Sequence, residues 1–300
     1  WGCSDDKTGG TVPPDPGPEP EVPTLATSLA FGVPSVEFPS GGKTVDVAVV
    51  AEGGEWAVAE TPDWLAVTPA EGKVTLAADD NRRGTLRSGK LRITGAENVE
   101  ASLDVSQGNG ALILRLEVEA PATVAAIPLH GQVSCTIDWG DGAVESIDAK
   151  IDGLGIGHPS HEYAAAGTYR VSVSGTVPSL SSIKLTDDQA LRLKAVEAWG
   201  ATGLEKMQYA FYRCAALESI PSPGPEAPFA RVTTFSKAFD SCDALREIPA
   251  DLFAGCTELT DLSSCFNDCD ALKSIPEHLL DDCTGVEKLS SIFAYCRGLE

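Results

Sequence analysis

The residue types that most often perform catalysis are sparse in this chain and do not cluster. The four histidines are scattered, and the sequence contains no G-x-S-x-G, H-E-x-x-H or Walker motif. A catalytic site needs a nucleophile, a base or a metal ion held close together. We therefore predict that the chain is not an enzyme and that it uses no cofactor.

Two short motifs carry side chains that could bind a metal ion. His158 and His161 are three residues apart, and Asp138 and Asp141 offer carboxylate oxygens. Zinc usually takes about four ligands and Ca²⁺ about six to eight, and no neighbouring cluster completes either set. The glycine-rich run at 153–157 resembles a phosphate loop, but Pro159 follows it and no helical pattern does. The sequence predicts no metal site, and a hairpin loop at 153–157.

Cys3 is the cysteine whose sequence context predicts a covalent modification. A small residue precedes it, and Ser4-Asp5-Asp6 follows. This pattern resembles the lipobox of bacterial lipoproteins and the export signal of Bacteroidetes surface lipoproteins. The resemblance implies that Cys3 is acylated and anchors the protein to the outer face of the outer membrane. This lipid anchor is then the only contact that the protein makes with a membrane. The alternative is an incidental cysteine in a cloning remnant.

Residues 8–23 read TGGTVPPDPGPEPEVP, which is nearly all glycine, proline and acid. Such a segment cannot bury apolar surface, and its prolines favour an extended spacer. We therefore predict that residues 1–23 are a lipid anchor and linker.

Residues 24–109 alternate apolar and polar side chains between turn signals, which predicts a β-sandwich. Several residues of this region resemble the BACON domain, a module proposed to bind carbohydrate. They are Trp56, Pro62-Asp63-Trp64-Leu65, Thr68-Pro69, Gly72, Asn81, Arg87-Ser88-Gly89, Ile93 and Val105-Ser106-Gln107.

Trp56 and Trp64 are the candidate glycan-binding residues, because an aromatic face suits the apolar face of a sugar ring. The alternative places both tryptophans in the sandwich core. Trp56 alternates with Val58 as an inward-facing residue does, which favours the core.

The alternation of apolar and polar side chains in residues 110–178 predicts a second β-sandwich. Trp139-Gly140-Asp141-Gly142, His161-Glu162-Tyr163 and the run from Gly167 to Val173 resemble an immunoglobulin-like PKD domain. Asp141-Gly142 suits a tight turn, since glycine tolerates positive φ.

A repeat follows at residues 179–300. The motif F-x-x-C-x-x-L recurs with its phenylalanine at 211, 239, 266 and 293, in steps of 28, 27 and 27 residues. It resembles the BspA-like leucine-rich repeats of bacterial surface proteins, with residues 180–200 as a capping coil. The first copy departs from the pattern at Pro223 to Pro228. The expected fold class is therefore mainly β: two immunoglobulin-like sandwiches in series, then a leucine-rich repeat solenoid with some α+β character.

Seven of the nine cysteines lie in this repeat. Six occupy the same motif position, where cysteine behaves as a small apolar residue. This placement favours buried free thiols, although stacked neighbours whose side chains turn toward each other could form disulfides. The motif breaks off at residues 298–300, and we expect further repeats, or a neighbouring molecule, to cover that end.

The net charge of the chain limits which classes of partner it can bind. The chain has 44 acidic and 22 basic residues, a net charge of −22, which disfavours nucleic acid. Two hypotheses remain: an adhesin that binds an extracellular protein through the repeats, or a glycan-binding accessory of a polysaccharide-utilisation system. Polar residues just before the repeated Ile or Leu favour the first. These candidate contacts are Ser219, Glu247, Asp261, Ser274 and Lys288.

Overall fold

The computed structural model describes residues 24–81, 87–96, 98–152 and 157–300. It is nearly all β, with 3% of the chain helical and 40% in strands. Among the described residues, no helix is long and apolar enough to cross a membrane. The short helices are α1 (Asp187–Leu191) and a 3₁₀ helix (Gly224–Glu226). The strands are β1 (Ser28–Phe31), β2 (Ser35–Phe38), β3 (Lys43–Glu52), β4 (Ala57–Glu60), β5 (Leu65–Ala70), β6 (Lys73–Ala78), β7 (Arg87–Thr94), β8 (Glu100–Gln107), β9 (Leu112–Val118), β10 (Thr123–Ala126), β11 (Leu129–Asp138), β12 (Val144–Ile151), β13 (Ser160–Tyr163), β14 (Gly167–Thr176), β15 (Ser179–Leu180) and β16 (Leu193–Ala198).

Strands β1 to β8 form two four-stranded sheets around one core. The first has the order β1-β3-β6-β5, and the second β2-β8-β7-β4, with β2 parallel to β8. Side chains alternate as expected: Val47 and Val49 of β3 are buried, and the residues between and beside them are exposed. Each sheet hides its apolar face against the other. The β-sandwich predicted for this region is present.

Strands β9 to β16 form a six-stranded sheet and a two-stranded sheet. The larger has the order β12-β11-β14-β9-β16, with β15 paired to β11, and the smaller pairs β10 with β13. Trp139 and Tyr163 are buried in the core between them, and the Tyr163 hydroxyl donates to the Trp139 carbonyl oxygen at 2.9 Å. The resemblance to PKD domains stays a prediction.

Strand β16 lies in the segment that the sequence assigned to a capping coil. It pairs antiparallel with β9, with Leu193 opposite Leu116 and Val196 opposite Leu114. It is therefore an edge strand of the larger sheet. The buried apolar cluster of this sheet continues into the repeats without a break, so the division at residue 178 stays a prediction.

Residues 199–300, here called the turn region, consist of tight turns stacked one period on the next. Neighbouring periods are joined by main-chain hydrogen bonds, such as the Phe211 N–H to the Ala238 carbonyl oxygen at 2.7 Å. One phenylalanine ring per period stacks on the next, with centroids 5.8, 5.2 and 5.6 Å apart. These rings belong to Phe211, Phe239, Phe266 and Phe293.

The expected leucine-rich repeat solenoid is wrong. Such a solenoid needs a strand in each coil so that the coils build a continuous sheet. The turn region contains no strand, and its periods meet through single-residue bridges such as Thr234–Asp261 and Asp261–Lys288. The α+β character expected of the repeats is absent too, since the region holds only the 3₁₀ helix.

The physical reason is a pair of left-handed residues in each period, which interrupt any extended backbone. Their φ values lie between 53° and 60°, and none is a glycine. They are Tyr209, Lys237, Ser264 and Ser291 at one motif position, and Arg213, Ser241, Asp268 and Tyr295 at the other.

Candidate binding surface

Trp56 and Trp64 both pack against the core of the first sandwich and are half-buried. Trp64 meets Phe38 edge-on, with ring centroids 6.1 Å apart. The Arg87 guanidinium lies 5.0 Å from the centroid of the Trp64 ring, and its Nε donates to Gln107 at 2.8 Å. Because arginine covers part of this ring, less of Trp64 is available for a sugar. The glycan-binding role of both residues stays a prediction.

The five candidate contacts in the turn region separate into two rows. Ser219, Glu247 and Ser274 are exposed and occupy one row, one residue per period. Asp261 and Lys288 lie in another row, where their backbones bridge. The structure therefore brings three of the five together and leaves two elsewhere.

The first row borders a groove, here called the turn groove, lined by residues 218–220, 246–249, 271, 273–274 and 276. Two adjoining cavities of 250 and 840 Å³ form it, and they share Arg246, Glu247 and Ile248. Ile220 and Ile248 are buried, and Ile275 beside the groove is 44% exposed. The turn groove thus has apolar side chains at its base and polar side chains on its rim.

Asp261 and Lys288 are engaged with the protein itself. The Lys288 ammonium lies 3.8 Å from the Asp261 carboxylate, which also accepts a hydrogen bond from the Ser263 N–H at 2.9 Å. Asp261 is half-buried. These contacts join neighbouring periods, and the partner-binding role of both residues stays a prediction.

Sequence reasoning missed Arg246 and Lys273, the two cations of the turn groove. Each directly precedes a candidate contact, and they are 27 residues apart. The signal lies in the repeat register, since both cations stand two positions before the repeated isoleucine.

The side chains considered for metal binding serve the second sandwich. Asp138 accepts from the Gly140 N–H at 2.9 Å, and Asp141 accepts from the Ala143 N–H at 3.0 Å. His161 Nε2 lies 2.7 Å from the other Asp141 oxygen, and this hydrogen bond lowers the pKa of that carboxyl. Burial lowers the pKa of His158, whose Nδ1 meets the Leu129 carbonyl.

In the described ranges, no group of three or more His, Cys, Asp or Glu is placed to hold a metal ion. Most of the glycine-rich run at 153–157 lies outside those ranges, as does Cys3. The eight cysteines within them are free thiols, and all but Cys296 are buried.

Comparison with known families finds a match in the first sandwich. Residues 54–108 match the BACON family model, whose description reads "Putative binding domain, N-terminal". The match spans β4 to β8 and agrees with the resemblance seen in the sequence. It is consistent with a non-enzymatic binding role.

No curated protein matches the chain. Among solved structures, the chain is similar to "Chimeric titin Z1Z2 functionalized with a KLER exogenous peptide from decorin". That similarity has 15% identity and a TM-score of 0.19, and covers 51% of this chain and 89% of that one. A TM-score this low does not establish a shared fold.

Proposed function

We propose that the chain is a non-enzymatic binding protein whose turn groove takes a segment of a partner protein. The observation that carries this proposal is the shared groove of Ser219, Glu247 and Ser274. Protein interfaces combine an apolar centre with a polar rim. In the turn groove, Ile220 and Ile248 supply the centre, and the three polar residues lie on the rim.

The charge of the turn groove specifies the partner further. Arg246 and Lys273 both line it. Glu218 and Glu247 line it too. The Glu218 carboxylate pairs with Arg115 at 3.4 Å, so the remaining charges of the groove are the two cations and the Glu247 carboxylate. Among the described residues, the two groove cations form no ion pair. A partner segment that carries carboxylates beside apolar side chains would pair with the two cations and cover the apolar base of the groove.

The turn groove is held in shape before any partner binds. Main-chain bonds join its periods, including the Arg246 N–H to the Glu218 carbonyl oxygen at 3.4 Å. Buried stacked phenylalanines lie beneath the turns. A preformed groove loses little conformational entropy on binding, which suits an adhesive role.

A peptide-binding experiment tests this proposal. Tiled peptides from extracellular matrix and bacterial surface proteins are probed with the full chain, and with the charge-reversed variant R246E/K273E. We expect the bound peptides to be rich in Asp and Glu. The double variant should bind them about tenfold or more weakly, because interface charge pairs contribute at the kcal/mol level.

Lys150→Glu provides the matched control, since Lys150 is exposed on β12, outside the turn groove. Binding that is indifferent to peptide charge, or that Lys150→Glu reduces as much as the double reversal does, would contradict the proposal.

A second candidate is glycan binding by the first sandwich. The match to a putative binding domain supports a binding role there, and the resemblance to BACON domains implies a carbohydrate ligand. A glycan array probed with the full chain tests it. Trp56→Ala and Trp64→Ala should then weaken the capture of at least one glycan, while the peptide binding above persists. If both variants capture every glycan as strongly as the unchanged chain does, neither tryptophan binds sugar.

We also propose that Cys3 carries the lipid that anchors the protein at the cell surface. Its support is the lipobox-like context and the proline-rich spacer after it. Intact cells that express the full precursor should incorporate labelled palmitate into the protein. Unchanged labelling and surface exposure in the Cys3→Ala variant would refute the anchor.

A further inference from the structure

The outer face of the second sandwich carries an ordered set of small polar side chains. In the register of the larger sheet, Ser134 of β11 lies opposite Asp148 on β12 and Thr176 on β14. Two residues further along β11, Thr136 lies opposite Ser146 on β12 and Ser174 on β14. This polar grid consists of Asp148, Ser134 and Thr176 in one row, and Ser146, Thr136 and Ser174 in the other.

The polar grid is the floor of a cleft of 910 Å³. Its wall is formed by Asn109, Gly110 and Ala201, where the chain leaves the first sandwich and where it enters the turn region. The Ala201 N–H donates to the Gly110 carbonyl oxygen at 2.8 Å. A Cβ on Gly110, which has φ of 70°, would lie 2.7 Å from Ser40 Oγ. The wall is therefore closely packed from behind.

The lining chemistry excludes several ligand classes. Among the residues that the structure describes, those around the cleft include no lysine, arginine or aromatic side chain. An anionic ligand would meet the Asp148 carboxylate without a compensating cation, and the chain as a whole carries a net charge of −22. A lipid or an aromatic ligand would meet hydroxyl groups that it cannot satisfy.

We propose that the polar grid binds a neutral saccharide. Serine and threonine hydroxyls both donate and accept hydrogen bonds, as sugar hydroxyls do. Neighbouring strands lie about 4.8 Å apart, so sugar rings laid across β12, β11 and β14 meet a polar side chain on each strand. This site is separate from the turn groove and from both tryptophans, and so it goes beyond the proposed function.

Affinity electrophoresis of the full chain tests the proposal, in gels that contain soluble mannan, xylan, β-glucan or starch. At least one of these polysaccharides should retard the protein. Thr136→Val keeps the shape of the side chain and removes its hydroxyl. It should weaken the binding about three- to tenfold, the value of one hydrogen bond.

Thr168→Val is the matched control, because Thr168 is exposed on β14 outside the cleft. It should leave the retardation unchanged, and so should R246E/K273E, which separates this site from the turn groove. Thermal melting checks that Thr136→Val folds, and Ser174→Ala replaces it if it does not.

Three outcomes overturn the proposal. One is that no neutral polysaccharide retards the protein. Another is that anionic polygalacturonate retards it as strongly as any neutral polymer. The third outcome is that Thr136→Val or Ser174→Ala binds as strongly as the control Thr168→Val, which would place the saccharide elsewhere on the chain.

Discussion

Cysteine serves in the turn region as a small buried side chain with a weak hydrogen-bond donor. The Sγ atoms of Cys242, Cys269 and Cys296 lie 3.2, 3.2 and 2.9 Å from carbonyl oxygens one period earlier. The acceptors are Phe211, Phe239 and Phe266, respectively. Each cysteine thus contacts the main chain of the preceding copy, while the phenylalanines repeat because their rings stack on one another.

Cys296 should react first among the described cysteines. It is the one cysteine of the described residues that is not buried, and its interaction with the Cys269 thiol lowers the pKa of the Cys296 thiol to about 7. The same interaction, together with burial, raises the pKa of the Cys269 thiol. Because the thiolate is the nucleophile, Cys296 should be reactive above about pH 7 and lose reactivity as the pH falls through that value.

Timed iodoacetamide labelling with peptide mass spectrometry measures this order at each site. Cys269→Ala should move the midpoint of Cys296 labelling to higher pH. Equal labelling rates at Cys296 and at buried Cys214 would show that the order is wrong.

Trp64 should contribute to stability through packing. It is half-buried against Phe38 and Arg87. We expect Trp64→Ala to lower the free energy of unfolding by about 2–4 kcal/mol, near or below the range for fully buried aromatic residues. Trp64→Phe, which keeps an aromatic ring, should cost less. Urea unfolding measures both, and a neutral Trp64→Ala would mean that the ring contributes little to the core.

At the scale of the element, each period of the turn region is built around its left-handed residues. The N–H of such a residue donates to a carbonyl in the next period, as Ser264 does to Ser290 at 2.8 Å. Left-handed backbone costs a non-glycine residue roughly 1–2 kcal/mol. The stacking hydrogen bonds and the buried rings offset that cost, and a single isolated period would lack both.

Ser264→Gly should therefore stabilise the turn region slightly. It removes the left-handed penalty of ~1–2 kcal/mol and adds the entropic cost of glycine, about 0.5–1 kcal/mol. Ser264→Val should be clearly destabilising, because a β-branched side chain tolerates positive φ poorly. Thermal unfolding of the two variants measures the difference, and a valine variant as stable as the glycine one would contradict this account.

Polar side chains also join the periods. Asp240 is buried, and its carboxylate accepts from Asn267 Nδ2 and from Ser241 Oγ, each at 3.0 Å. A buried carboxylate is stable only when such donors surround it. This network fixes the register of one period on the next.

At the scale of the whole molecule, the irregular part of the repeat joins the turn region to the first sandwich. The Glu226 carboxylate accepts from the Ser40 N–H at 2.6 Å and from Ser40 Oγ at 3.0 Å. Glu226 lies in the 3₁₀ helix, within the segment Pro223 to Pro228 where the repeat pattern fails. The departure from the motif thus coincides with a contact to a distant part of the chain.

Glu226→Ala should loosen this contact, because it leaves the buried donors of Ser40 unsatisfied at a cost of about 1–3 kcal/mol. We expect faster proteolysis around residues 108–110 and a larger radius of gyration in X-ray scattering. Glu258→Ala, an exposed site elsewhere in the turn region, is the control. Unchanged scattering and cleavage in Glu226→Ala would show that Glu226 does not hold the two parts together.

The sequence determined the local features of this protein. Alternation along strands such as β3 predicted the first sandwich, and the spacing of Phe211, Phe239 and Phe266 predicted a periodic stack. Residues around Trp64 and Arg87 indicated the BACON domain that the family model matches. These signals are readable because each depends on neighbours in the chain or on a fixed period.

Only the tertiary structure decided which residues far apart in the chain contact each other. The periodic motif alone did not reveal that its backbone turns left-handed, which replaced the expected solenoid with stacked turns. It also did not reveal that Ser219 and Glu247 share a groove while Asp261 pairs elsewhere. The packing of β16 on β9 and the Glu226–Ser40 contact depend on three-dimensional proximity, which the order of residues does not encode locally.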